Sequence, residues 1–113
     1  MVLLMSIFRK LFGENNAYGN GGIAPALRTV RVGGYDKSET LTLVDALNME
    51  LYRLAKAVLA AEKGQAFEEP PRVDFKLPEK VRGGGFSEED VESFVRMRAD
   101  KITELRKRLA ASK

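Results

Sequence analysis

Apolar residues recur at alternating intervals of three and four along two stretches of the chain. Val44, Leu47, Leu51, Leu54, Val58 and Ala61 make the first series; Val91, Val95, Arg98, Ile102, Leu105 and Leu109 make the second, with an arginine at one seam position. A period near 3.5 predicts two amphipathic helices, each with one continuous seam suited to self-association. The first is expected from Ser38 to Ala61, with Asp36 as N-cap, Glu39 three places on, and Gly64 as the stop. The second is expected from about Glu88 to about Ala110, with Ser87 as N-cap, Asp90 at the third helical position and Phe94 widening the apolar face. A helix of about 23 residues is about 35 Å long. That length is large for a chain of 113 residues and favours a bundle or coiled coil over a globule.

Sliding the chain by 51 positions superposes the two stretches. Val30-Arg-Val-Gly-Gly-Tyr-Asp36 then overlies Val81-Arg-Gly-Gly-Gly-Phe-Ser87, and Leu51, Leu54 and Val58 fall on Ile102, Leu105 and Leu109. Agreement in turn, cap and seam together points to an internal repeat. A repeat of this kind rarely buries its stripe alone, so each copy needs the other or a second subunit. The fold class expected is mainly α: two glycine-turn plus long-helix units forming a helical hairpin, or a dimeric bundle or coiled coil. Gly33, Gly34, Gly84 and Gly85 allow positive φ or a close backbone crossing at the helix entries. Tyr35 and Phe86 stand just before the caps, placed to staple against the first turns near Thr40 and Val91. A phosphate-binding loop is the rival reading of these glycines, but no Lys-Ser or Lys-Thr follows them.

The remaining segments divide the chain further. Residues 1–12 read as a short amphipathic helix, with Ile7, Phe8, Leu11 and Phe12 on one face and Arg9 and Lys10 beside it; residues 13–26 read as a flexible linker. The two units span 27–63 and 78–113, separated by a linker or short extended segment at 64–77, where Val73, Phe75 and Leu77 alternate with charges. The N-terminal apolar run is too short to span a bilayer and lacks the order of a signal peptide. It suits an interfacial membrane contact, with Arg9 and Lys10 at anionic headgroups, packing against the helices, or a frayed end without fixed structure.

Composition narrows the chemistry. There is no cysteine and no histidine, which removes disulfides, thiolate sites and the commonest general base. Glu88, Glu89, Asp90 and Glu92 crowd one helix start, where the helix dipole accounts for them without catalysis or metal binding. No catalytic residue, cofactor or metal site is expected. The net charge is only +3 with signs interspersed, so nucleic acid is a disfavoured partner. Arg96, Arg98, Lys101, Arg106, Lys107 and Arg108 make the second helix locally basic, and a nucleic-acid-associated helical protein is the alternative they support. Arg98 is expected at the edge of the seam with a solvated guanidinium; a buried pair with an acid of the other helix is the sharper reading.

Two segments, Arg31-Val-Gly-Gly-Tyr-Asp-Lys-Ser-Glu39 and Arg82-Gly-Gly-Gly-Phe-Ser-Glu-Glu-Asp-Val91, resemble the DivIVA-like family of bacterial cell-division and pole-organising proteins. The resemblance covers residues 27–58 and 78–109. It implies a homodimeric, membrane-associated scaffold that recruits other division or envelope proteins at the cytoplasmic face of the membrane. The family's membrane-inserting aromatic falls on Val32 and Gly83, and its basic neighbour on Gly33 and Gly84, so neither copy keeps that pair. The expected function is a non-catalytic scaffold or adaptor that forms a homodimer or higher homo-oligomer. A purely structural oligomerisation module is the plainer form of the same expectation.

Overall fold

Asp36 and Ser87 open two helices. The Asp36 carboxylate accepts from the Glu39 N–H at 2.8 Å, and the Ser87 hydroxyl accepts from the Asp90 N–H at 3.2 Å, each covering one of the backbone donors that a helix start leaves unpaired. The computed structural model describes residues 27–112. Helix α1 spans Lys37–Glu62 and α2 spans Glu88–Ala111. Gly64 ends α1 as its position suggests. At φ +72° it donates to the Ala61 carbonyl while Gln65 donates to that of Ala60, the two closing bonds of a Schellman turn.

The two seams meet within one chain. Leu47, Leu51, Leu54, Leu105 and Leu109 are fully buried, and Val44, Val58, Phe94 and Ile102 join them in one core. The mainly helical fold and the packed helix pair are therefore as the periodicity predicts. Both helices set out from the turn region, and Arg108 near the end of α2 pairs with Glu62 at the end of α1. They thus lie side by side with the same polarity, which requires the chain to return the length of α1 before starting α2. At 26 residues that return is about 39 Å. Residues 65–79 run without helix or strand pairing and reach about 50 Å when extended, enough for the return. Of this strap, Phe67 and Phe75 pack on the core, whereas Val73 and Leu77 remain exposed.

Because the seam is sealed inside the chain, its central leucines have nowhere to relax when truncated. Leu51→Ala is expected to cost about 3 kcal/mol, read from the urea midpoint.

Candidate functional site

The residues before the two helices form a reciprocal backbone clasp. Tyr35 and Phe86 each donate to the other's carbonyl at 2.9 Å. Val30 donates to the Gly85 carbonyl and Val81 to that of Gly34, both at 2.9 Å. Asp36 donates to the Glu79 carbonyl at 2.8 Å and Ser87 to that of Arg28 at 2.7 Å. Each of these bonds becomes its partner bond, or itself in reverse, when every residue is replaced by the one 51 positions away. The same exchange relates two carboxylate contacts: Glu39 accepts from the Glu79 N–H at 2.8 Å and Asp90 from the Arg28 N–H at 3.0 Å. Glu39 therefore serves the other unit's entry chain, in place of the return to its own cap that a capping box would make.

The glycines permit this approach. Gly33, Gly34 and Gly84 have φ of +69°, +94° and +75°, which L side chains rarely adopt. Gly34 and Gly85 lie against each other's backbone at the centre of the clasp: a Cβ on Gly34 would stand 2.7 Å from the Phe86 carbonyl oxygen, and one on Gly85 would stand 2.6 Å from that of Tyr35.

Side chains tie the two units together around this centre. Tyr35 is buried, and its hydroxyl donates to the Glu92 carboxylate at 2.6 Å; it reaches across to the second unit. Phe86 lies under the Lys37 ammonium at 5.6 Å. Arg28 forks onto Asp90 with two bonds of 2.8 Å, and these, with the Arg28 N–H, hold the Asp90 carboxyl down to about 2. Burial, with the hydrogen bond to Glu92, pushes the Tyr35 phenol from its ordinary 10.0 up to about 12. A phenol whose folded pKa is raised stabilises the fold fully below its unfolded pKa and loses that contribution as pH rises toward the folded value. The chain is thus expected to lose stability between about pH 10 and about pH 12. In Tyr35→Phe this alkaline dependence should shrink in urea melts taken across that range.

Further along the pair, α1 and α2 are joined by a buried ion pair. Arg106 donates to Glu50 at 2.9 Å, with side chains only 6% and 3% exposed. The same guanidinium donates to the carbonyls of Pro70 at 2.9 Å and Pro71 at 3.2 Å, pinning the strap. Its partial reach to Glu69 is 3.5 Å. This cluster has no counterpart by the 51-residue shift, since Glu50 falls on Lys101 and Arg106 on Ala55. Glu50 carries little signal in the sequence. It lies beside the seam, and only the spacing of the two helices brings Arg106 within reach.

Arg98 corrects an expectation. It is 4% exposed, with its guanidinium 4.9 Å from the centre of the Phe94 ring; the wide apolar face near Phe94 draws the charge inward onto an aromatic surface, where cation–π attraction offsets part of its desolvation. Val44, Leu47, Leu51, Leu54, Val58, Val91, Ile102, Leu105 and Leu109 are all buried along the helix pair, and Val95 is partly buried at its margin. The candidate membrane face, Ile7, Phe8, Arg9, Lys10, Leu11 and Phe12, lies outside the described residues, as does the segment 13–26. Among the described residues no helix is long and apolar enough to cross a membrane, and no group of three or more metal-donor side chains gathers.

The arrangement holds two units in register: Asp90 and Arg28, and Glu50 and Arg106, are engaged with each other, and Glu39 accepts from backbone. No family model matches the chain, and no curated protein or solved structure matches it.

Proposed function

We propose that the protein is a non-catalytic, self-associating scaffold or adaptor, and that the clasped helix pair is its rigid body. The observation that carries this reading is the use of its chemistry-bearing side chains: Arg28 with Asp90, Tyr35 with Glu92 and Glu50 with Arg106 all tie one unit to the other. Among the charged side chains of the surface, several apolar ones also face outward. Leu41 and Met49 stand about half exposed on α1, two turns apart, and Val32 is 84% exposed at the tip of the first turn. The DivIVA-like resemblance of the two turns supports a place in bacterial cell division or envelope organisation, at the cytoplasmic face of the membrane. In that setting the partner surfaces are a second copy, other division or envelope proteins, and the lipid surface itself through residues 1–12.

The nucleic-acid alternative draws less support. Of the basic residues on α2, Arg98 and Arg106 are buried, Arg108 pairs with Glu62 and Lys101 with Glu104, which leaves a broken basic surface for a phosphate backbone to follow.

Light scattering across a concentration series tests self-association. A mass rising toward a dimer supports the reading, and a strictly monomeric species at high micromolar concentration contradicts it. Co-sedimentation with anionic liposomes, comparing the full chain with one lacking residues 1–12, tests the membrane part. Selective pelleting of the full chain supports it, and equal, negligible pelleting removes it.

A further inference from the structure

We propose that each unit of this chain binds the complementary unit of a second copy in trans, so that two chains close on each other by exchanging units, and that Glu50 and Arg106 dictate which unit pairs with which. The reciprocity of the clasp carries the first half. Each of these inter-unit bonds runs between residues 27–63 and residues 78–112, and of the strap only its last residue, Glu79, takes part in the clasp. A second chain that offers the same residues reproduces all of them. The strap is long enough to open: its 15 residues, 65–79, reach about 50 Å, sufficient to pass from the far end of one helix pair to the clasp of a neighbour lying alongside. Exchange of identical elements keeps the native contacts and is a low-cost route to a dimer.

The same reciprocity poses a problem of fidelity, because matched turns and seams would also let a unit pair with its own kind. The buried ion pair resolves it. Pairing of two first units would set the buried Glu50 carboxylate against Ala55, the counterpart of Arg106. Pairing of two second units would set Arg106 against Lys101, the counterpart of Glu50. Either leaves a charge in the interior without its opposite, which is far more costly than the intact pair. The outer tie disfavours only one of these pairings: in place of the Arg28–Asp90 fork, two second units would bring Glu79 to Asp90, whereas two first units would bring Arg28 to Glu39, so against that pairing the buried pair acts alone. A single buried polar contact that selects partner and register has precedent in helical assemblies generally.

The proposal deepens the self-association reading by naming the partner surface, and it fails separately from it. Glu62 and Arg108 touch across the units and are both exposed, and the chain holds no cysteine. Two full-length variants, Glu62→Cys and Arg108→Cys, are unfolded together, refolded at high concentration and treated with a short bis-maleimide; the same variants mixed without unfolding give the background. A covalent 62–108 dimer above that background, exceeding the 62–62 and 108–108 products at least about tenfold, is the expected result. Absence of the 62–108 product overturns exchange, and like-with-like products of equal yield overturn the selective role of the ion pair. A dimer built through outer faces keeps each chain closed and gives no 62–108 product between chains.

Discussion

Gly85→Ala is expected to unfold the clasp and remove more than about 3 kcal/mol of stability, whereas Gly84→Ala, one residue away, should cost only about 1 kcal/mol. The contrast follows from what each new methyl group meets. At Gly85 it would lie 2.6 Å from the Tyr35 oxygen, 2.7 Å from the Gly34 carbonyl carbon and 2.9 Å from the Tyr35 nitrogen. These are backbone atoms, and the Tyr35 oxygen and nitrogen are both held in the reciprocal pair with Phe86. Neither side can withdraw without breaking that pair. At Gly84 no atom of the described residues lies within 4 Å of the new methyl group, and its φ of +75° is what opposes a side chain. Gly34→Ala should resemble Gly85→Ala, since its methyl group would stand 2.7 Å from the Phe86 oxygen. Urea midpoints for the three variants measure the difference, and equal losses at positions 84 and 85 would show that conformation, not close approach, sets the cost.

The second large effect is at the buried ion pair. Glu50→Ala or Arg106→Ala alone should cost about 3–5 kcal/mol, because each strands the other charge in the interior. The Arg106 variant also releases the strap from its anchor at Pro70 and Pro71. Replacing both residues with apolar ones, as in Glu50→Leu with Arg106→Met, should recover most of that loss, since Glu50 Oε1 and Arg106 Nε have no hydrogen-bond partner among the described residues and the pair contributes little net stability over a packed hydrocarbon. A double-mutant cycle from denaturant melts gives the coupling. Additive losses would mean that the two side chains act independently. With the pair acting in the choice of partner unit, the double variant should be stable and less faithful in the exchange test.

Much of this architecture was legible in the sequence because its causes are local. Capping at Asp36 and Ser87, the stop at Gly64 and the seam from Val44 to Leu109 each follow from residue type at a helical spacing, and each is found where expected. The 51-residue match also marked Gly34 and Gly85 as special. Their relationship to each other was not legible, because a glycine's permissiveness says that something approaches but not what. Its place before the cap makes Tyr35 a staple candidate for its own helix, whereas its hydroxyl finds Glu92 of the other unit. That partner is defined only once the clasp sets the two helix starts side by side. The burial of Arg98 escapes the sequence for a similar reason: periodicity assigns a face to a residue, and the aromatic ring beside its guanidinium belongs to the packing. The strap was visible as alternation at Val73, Phe75 and Leu77, but its duty as a return path follows from the shared polarity of the helices, which no seam encodes.

Everything above depends on two helix entries holding each other by mutual backbone bonds. Amide hydrogen exchange, resolved by residue, tests this most directly. The N–H groups of Tyr35 and Phe86, Val30 and Val81, and Asp36 and Ser87 are predicted to be protected in matched pairs, to within a factor of about ten of one another, opening together with the helix pair. Protection of one unit's entry while the other's exchanges freely would contradict the account.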